Sequence, residues 1–340
     1  MYILNDGEPK ERFKLITIWQ LIYPILFWFV AQVIVTVIVE AVAIGKDSDL
    51  AKMALTDRSA FSEYFINHYG MTITLVSNII TIPALLFFMY LDRRRVYERG
   101  YKRELGPINY ALFLLIPIFA FICLITGNTF VTIVLSYLPE SFLESYKSAA
   151  SSIYGVSPTV LFVSAVLFAP IMEELLFRGL IYKRVKRVSN VLIATIVAGL
   201  VFALAHGNWV QGIYVMFLNC ALVFVYEKYK TILAPILVHM TANGISVAAT
   251  VLTGNLKKAS EGAEAVAVKS GDYMFFCVLI VILYGMIVLI NNKVKRKEVF
   301  SKLPEANSIN NRNSFEYDHN YYGDINESAS INNNDEGYNG

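Results

Sequence analysis

Two adjacent glutamates in an otherwise apolar stretch, Ala169-Pro170-Ile171-Met172-Glu173-Glu174-Leu175-Leu176-Phe177-Arg178-Gly179, are the residues of this chain best suited to chemistry. A helix turns about 100° per residue, so neighbouring carboxylates diverge and are not expected to share one partner. Glu174 and Arg178 stand i, i+4 with the acid first, the favourable order for an ion pair. That leaves Glu173 to face inward, where a carboxylate can serve as general base. The helical spacing recurs twice more. Phe202 and His206 (Phe-Ala-Leu-Ala-His) are four apart, as are His239 and Asn243 (His-Met-Thr-Ala-Asn), and each pair shares a helix face. Ionisable groups inside apolar runs are costly unless paired or facing a cavity. Three helices are therefore expected to aim Glu173, His206, His239 and Asn243 at one interior point.

Those helices must come from the apolar runs. With 16% charged residues, 56% hydrophobic residues and a mean hydropathy of +0.51, the 340-residue chain has too few polar groups to cover a globular surface, so lipid is its expected solvent. Eight runs approach the ~20 residues that a bilayer requires: Leu15–Ile44, Met71–Leu91, Tyr110–Leu138, Pro158–Phe177, Val191–Ala205, Gly212–Tyr226, Ile232–Thr253 and Tyr273–Ile290. The expected fold is an all-α polytopic membrane bundle of about eight transmembrane helices. The fifth and sixth runs are short and must form a tight hairpin.

Charge orients the bundle. Threaded with the N-terminus inside, the cytoplasmic clusters Lys10–Lys14, Arg93–Arg103, Lys183–Arg187, Lys228–Lys230 and Lys293–Lys297 hold 19 Lys and Arg, against 7 outside. The positive-inside rule then puts both termini in the cytoplasm. A basic start and an Ala41-Val42-Ala43 site give the first run a hint of a signal peptide, but its apolar stretch is too long for one.

Depth tests the convergence. Glu173 is ten residues from Lys183, about 15 Å along a helix, and His239 is nine from Lys230, about 13 Å. His206 is about 22 Å from the start of its run. It is level with Glu173 only if the fourth and fifth helices extend together to the Ser189-Asn190 turn, from which the two residues are equidistant.

Other features read as structural. Cys123, Cys220 and Cys277 each lie in apolar runs, as small buried hydrophobes rather than a disulfide or zinc framework. Glu40 and Asn78 are expected to be satisfied polar groups. Ten of the residues Ser301–Gly340 are Asn and few are aliphatic, so this stretch reads as a disordered tail, with His319 in it by chance. No basic stripe interleaved with aromatics suggests nucleic acid.

In its second half the chain resembles the CAAX protease and bacteriocin-processing (CPBP, or Abi) family, whose motifs are Glu-Glu-x-x-x-Arg, Phe-x-x-x-His and His-x-x-x-Asn/Asp on separate membrane helices. Here they stand as Glu173-Glu174-Leu-Leu-Phe-Arg178, Phe202-Ala-Leu-Ala-His206 and His239-Met-Thr-Ala-Asn243, within about Pro158–Thr250. The resemblance implies an intramembrane endopeptidase acting on a membrane-associated or lipidated peptide or protein, in peptide maturation or bacteriocin immunity. It implies that Glu173 activates water with His206 orienting it, that His239 and Asn243 hold the oxyanion, and that Glu174 and Arg178 lock the first motif, with Phe202 supporting. Three regions follow: spans in 1–157, a catalytic core in 158–298, and an Asn-rich cytoplasmic tail in 299–340. A bacterial plasma membrane is the expected location.

Two mechanisms remain open. One needs no cofactor. In the other, Glu173, His206 and His239 bind zinc, since one Glu and two His with an open water position is a known catalytic ligand set. Rival functions are a proton-coupled transporter, disfavoured by the lack of repeat symmetry, and a non-catalytic peptide-binding immunity or scaffold protein.

Overall fold

The computed structural model describes residues 11–139, 156–252 and 270–302. Each of the eight apolar runs forms a helix. In chain order the elements are α1 (Leu15–Lys46), α2 (Ser48–Thr56), α3 (Arg58–Glu98), β1 (Tyr101–Leu105), a 3₁₀ turn (Tyr110–Leu114), α4 (Leu115–Leu135), α5 (Pro158–Val188), α6 (Val191–Ala205), α7 (Trp209–Tyr229), α8 (Leu233–Leu252), α9 (Ser270–Lys293) and β2 (Glu298–Lys302). The protein is an all-α polytopic bundle with one small β-ribbon. Among the described residues six helices are long and apolar enough to cross a membrane; Val191–Ala205 and Leu233–Ala249 are apolar but shorter.

Burial ranks the helices. Half of the most apolar window of α5 is buried, against 11% for α1 and α9. Every residue from Glu174 to Tyr182 is buried, which is what a helix enclosed on all sides shows. α5 is the central post, and α1 and α9 turn apolar faces outward. Its start is set by Ser157, whose hydroxyl accepts from the Val160 amide at 3.3 Å, and by Pro158 in the first turn, where no amide hydrogen is needed. Wide π turns at Phe162–Phe168 and Leu175–Tyr182 flank Ala169–Glu174. Pro170 lacks the amide hydrogen of a regular turn and its ring crowds the carbonyl four residues back, so a neighbouring widened turn relieves it.

α6 and α7 form the hairpin expected of their short runs. Gly207 takes φ +64°, a left-handed turn closed to most side chains, and Asn208 caps α7 by accepting from the Gln211 amide at 3.1 Å. α2 was not expected. Asp47 caps it through the Asp49 and Leu50 amides, and Asp57 then caps α3 through Ala60.

The basic clusters meet at one end of the bundle. Arg184 (α5) donates to Asp92 (α3) at 2.8 and 3.1 Å and to the Tyr23 hydroxyl (α1) at 2.6 Å, while Arg95 also reaches Asp92 at 3.1 Å. Glu227 (α7) accepts from Lys186 at 2.9 Å and from Lys230 at 2.7 Å. Glu11 pairs with Arg99, and Glu298 with Arg103. β1 and β2 run antiparallel with Arg103 opposite Phe300, closing this end. Residues 299–302, assigned above to the tail, are therefore the last strand, because they supply the hydrogen bonds that the edge of β1 lacks. The remainder of the tail, 303–340, lies outside the described residues.

Candidate active site

The first motif is assembled from three helices. Arg178 donates through Nη1 to Glu174 Oε1 at 2.9 Å and through Nη2 to Asn219 Oδ1 on α7 at 3.1 Å. Its guanidinium carbon lies 4.9 Å from the centre of the Phe202 ring on α6. Asn219 in turn donates to the Thr195 carbonyl of α6 at 2.9 Å. Glu174 and Arg178 are both 0% exposed, so the pair is held away from solvent by planar, geometry-specific contacts. The close approach of α6 and α7 depends on Gly199, where an added Cβ would lie 2.7 Å from Asn219 Nδ2. The i, i+4 spacing foretold the ion pair. Asn219 was missed; its one sequence signal is an amide inside the apolar run Val215–Val225.

His239 departs from expectation. Its Nδ1 is 2.9 Å from Glu174 Oε1 and its Nε2 is 3.6 Å from Glu173 Oε2. The adjacent carboxylates do share a partner, because the two nitrogens of an imidazole point outward from different sides of the ring and one ring can bridge diverging groups. Nδ1 is thus turned to Glu174 and Nε2 toward Glu173. His206 is held similarly. Its Nδ1 lies 2.8 Å from the Phe202 carbonyl, which can only accept, so Nδ1 donates and Nε2 is the remaining ring nitrogen. Asn243 spends one amide hydrogen on the Ala165 carbonyl, inside the first π turn, at 2.9 Å.

Glu173, His206, His239 and Asn243 all border one cavity of about 410 Å³, within the size range of ligand pockets. The level of its walls agrees with the depth argument. Phe177 and Phe202, each eleven residues from the near end of its helix at the α5–α6 turn, pack with ring centres 4.3 Å apart. Glu173 and His206 lie four residues farther along. Glu173 keeps 19% of its side chain exposed, whereas Glu174 keeps none. The carboxylate bordering the cavity and the one clamped behind it are thus distinct.

Residues 155–245 match the family model described as Rce1-like, type II CAAX prenyl endopeptidase. The membrane-embedded CAAX protease MroQ of Staphylococcus aureus (strain USA300) is 33% identical over 114 residues, which cover 31% of this chain and 44% of that protein. Both matches agree with the three motifs just placed. Residues 155–245 are thus similar to the core of the CPBP family. No solved structure gives a significant match.

The zinc set that the spacing allowed, Glu173, His206 and His239, is not gathered as one group of ligands in this geometry. Among the described residues no three His, Cys, Asp or Glu side chains are gathered closely enough to hold a metal ion. Both nitrogens of His239 face carboxylates, and His206 Nδ1 is tied to its own helix. The wall of the cavity also draws on residues before Pro158. Trp28 and Gln32 of α1 and Met71, Thr74 and Asn78 of α3 line the same space. Glu40 does find a partner, Arg58 at 2.9 Å, but Asn78 is not the satisfied amide it was expected to be.

Proposed function

We propose that this protein is an intramembrane endopeptidase in which Glu173 activates water for attack on a peptide carbonyl. The observation that carries the reading is the His239 ring seated between a clamped carboxylate, Glu174, and one that borders the cavity, Glu173. An imidazole oriented by a buried carboxylate is a recurrent proton-handling element of acyl transfer, and here it stands beside a second carboxylate that borders the cavity.

Glu173 removes a proton from water in the cavity, and the hydroxide oxygen bonds to the carbonyl carbon. The proton passes to His239 Nε2, whose new N–H stabilises the oxyanion together with the second amide hydrogen of Asn243. Preorganised donors of this type are commonly worth about 3 kcal/mol each. His206 positions the water from α6. As the tetrahedral intermediate collapses, the carbon–nitrogen bond breaks and His239 returns its proton to the departing amine. The products are one carboxylic acid, which keeps the second proton of the water, and one amine, Glu173 having been restored when its proton passed to His239. No step requires a metal.

The substrate class this supports is a membrane-associated or lipidated peptide or protein. The gathering of basic clusters at one end favours that end as cytoplasmic, with eight crossings if the short α6 and α8 are counted, in a bacterial plasma membrane. Residues 1–157 serve as the flanking spans and 158–302 as the core. Glu173→Gln and wild type, expressed equally, are to be compared by mapping newly formed protein N-termini in membranes and medium. A small set of termini absent from Glu173→Gln is expected; indistinguishable profiles would overturn the proposal.

A further inference from the structure

Among the described residues five buried side-chain polar atoms have no hydrogen-bond partner: Trp28 Nε1, Asn78 Nδ2, Asn78 Oδ1, Glu174 Oε2 and Arg178 Nε. None is scattered elsewhere in the bundle. Two belong to the Glu174–Arg178 clamp, and the other three belong to Trp28 and Asn78, which border the catalytic cavity from α1 and α3. Buried polar groups are almost always paired, so the three orphan atoms of Trp28 and Asn78 at this wall need an explanation. Asn78 is the sharpest case, because it is 0% exposed and both ends of its amide are idle. An apolar residue of the same shape would suit an empty wall better.

The idle atoms have the chemistry of a peptide-backbone receptor. A carboxamide presents one acceptor and donors side by side, which match the N–H and C=O of an extended chain. The indole of Trp28 adds a further donor. The space continues along the same wall. A second cavity, of about 450 Å³, shares Gln32, Met71 and Thr74 with the first and reaches the Glu40–Arg58 pair between α1 and α3. An extended peptide advances about 3.3 Å per residue, so the two cavities together suit a run of residues rather than one small molecule.

We infer that the α1–α3 wall is the substrate-binding side of the site, where Asn78 and Trp28 hold the backbone of an extended peptide beside the bond presented to Glu173. This rests on the endopeptidase reading and adds a binding role for the segment before Pro158. Pairing occurs when peptide enters, so the cost of the idle amide in the free protein is converted into affinity for a backbone.

The test uses the full-length protein in phosphatidylcholine/phosphatidylglycerol vesicles. The probe is a quenched fluorescent library of palmitoyl-anchored decapeptides, read for turnover and for peptide-induced thermal protection. Three variants are compared with wild type: Asn78→Leu, which keeps shape without hydrogen bonds; Trp28→Phe, which removes the indole N–H; and Glu173→Gln. Asn78→Leu is expected to melt at or above the wild-type temperature without peptide, to lose at least tenfold in kcat/KM mainly through KM, and to lose the protection. Trp28→Phe is expected to lose several-fold by the same route. Glu173→Gln is expected to lose turnover and keep the protection. Wild-type turnover unchanged in Asn78→Leu, or a lowered melting temperature that accounts for its loss, overturns the inference and leaves the endopeptidase reading intact. A wild type that neither cuts nor is protected by the library overturns the endopeptidase reading and this inference together.

Discussion

Replacing each of the adjacent glutamates by glutamine separates chemistry from architecture. Glu174 Oε1 accepts from both Arg178 and His239, each at 2.9 Å, and neither Glu174 nor Arg178 has any exposed surface. Glu174→Gln leaves the guanidinium without a counter-charge where no water reaches it. Removing one partner of a buried pair costs about 3–5 kcal/mol. At about 2–4 °C per kcal/mol for sizeable domains, and nearer the lower figure for a chain of this length, melting should fall by roughly 6–10 °C. Glu173 has part of its side chain exposed, and its contact with His239 Nε2, at 3.6 Å, is longer than a hydrogen bond in the free protein. Glu173→Gln should therefore change stability by only about 0.5 kcal/mol, while removal of a general base lowers turnover by about 10²–10⁴-fold. Thermal unfolding of the purified proteins followed by tryptophan fluorescence, paired with peptide cleavage, checks both. If Glu173→Gln melts as early as Glu174→Gln, or retains most of its turnover, the division between clamped and working carboxylate is wrong.

Gly199→Ala should push Asn219 off Arg178, since the added Cβ would lie 2.7 Å from Asn219 Nδ2 and 2.9 Å from Met216 Sδ. The expected cost is about 1–3 kcal/mol with reduced turnover, and Met216→Ala in the same chain should not restore it; melting and cleavage assays read both. Asp92→Ala strands the buried Arg184, which ties α5 to α1 and α3, and should cost about 3–5 kcal/mol, seen as earlier melting of the whole bundle rather than a separate transition for its first half. Exhaustive chelation followed by metal analysis should leave cleavage intact and find no stoichiometric zinc; restoration of lost activity by added zinc alone would reverse that expectation.

Much of this was readable from local geometry. The rise and turn of a helix are the same wherever it sits, so apolar runs located α1 and α3–α9, though not α2, and i, i+4 spacing paired Glu174 with Arg178. The same arithmetic placed Glu173 and His206 level about the α5–α6 turn, and the Phe177–Phe202 contact has that register. The motif residues Glu173, His206, His239 and Asn243 all border the cavity. Reasoning one helix at a time misled where partners came from elsewhere. It assigned diverging carboxylates to separate partners, since nothing along α5 reveals that an imidazole on α8 can bridge them. It treated Asn78 as satisfied, since satisfaction is a property of neighbours.

Sequence alone therefore determined what repeats along one helix: which stretches are helical and apolar, which residues share a face, and which charged clusters belong to alternate connections. Tertiary structure alone decided what lies between helices: His239 bridging Glu173 and Glu174, Asn219 completing the arginine clamp, β2 closing on β1 across nearly two hundred residues, and Trp28 and Asn78 walling the cavity. The physical reason is that helical rise and periodicity fix neighbours within a turn or two. Which faces of distant helices meet depends on how side chains of the whole chain pack.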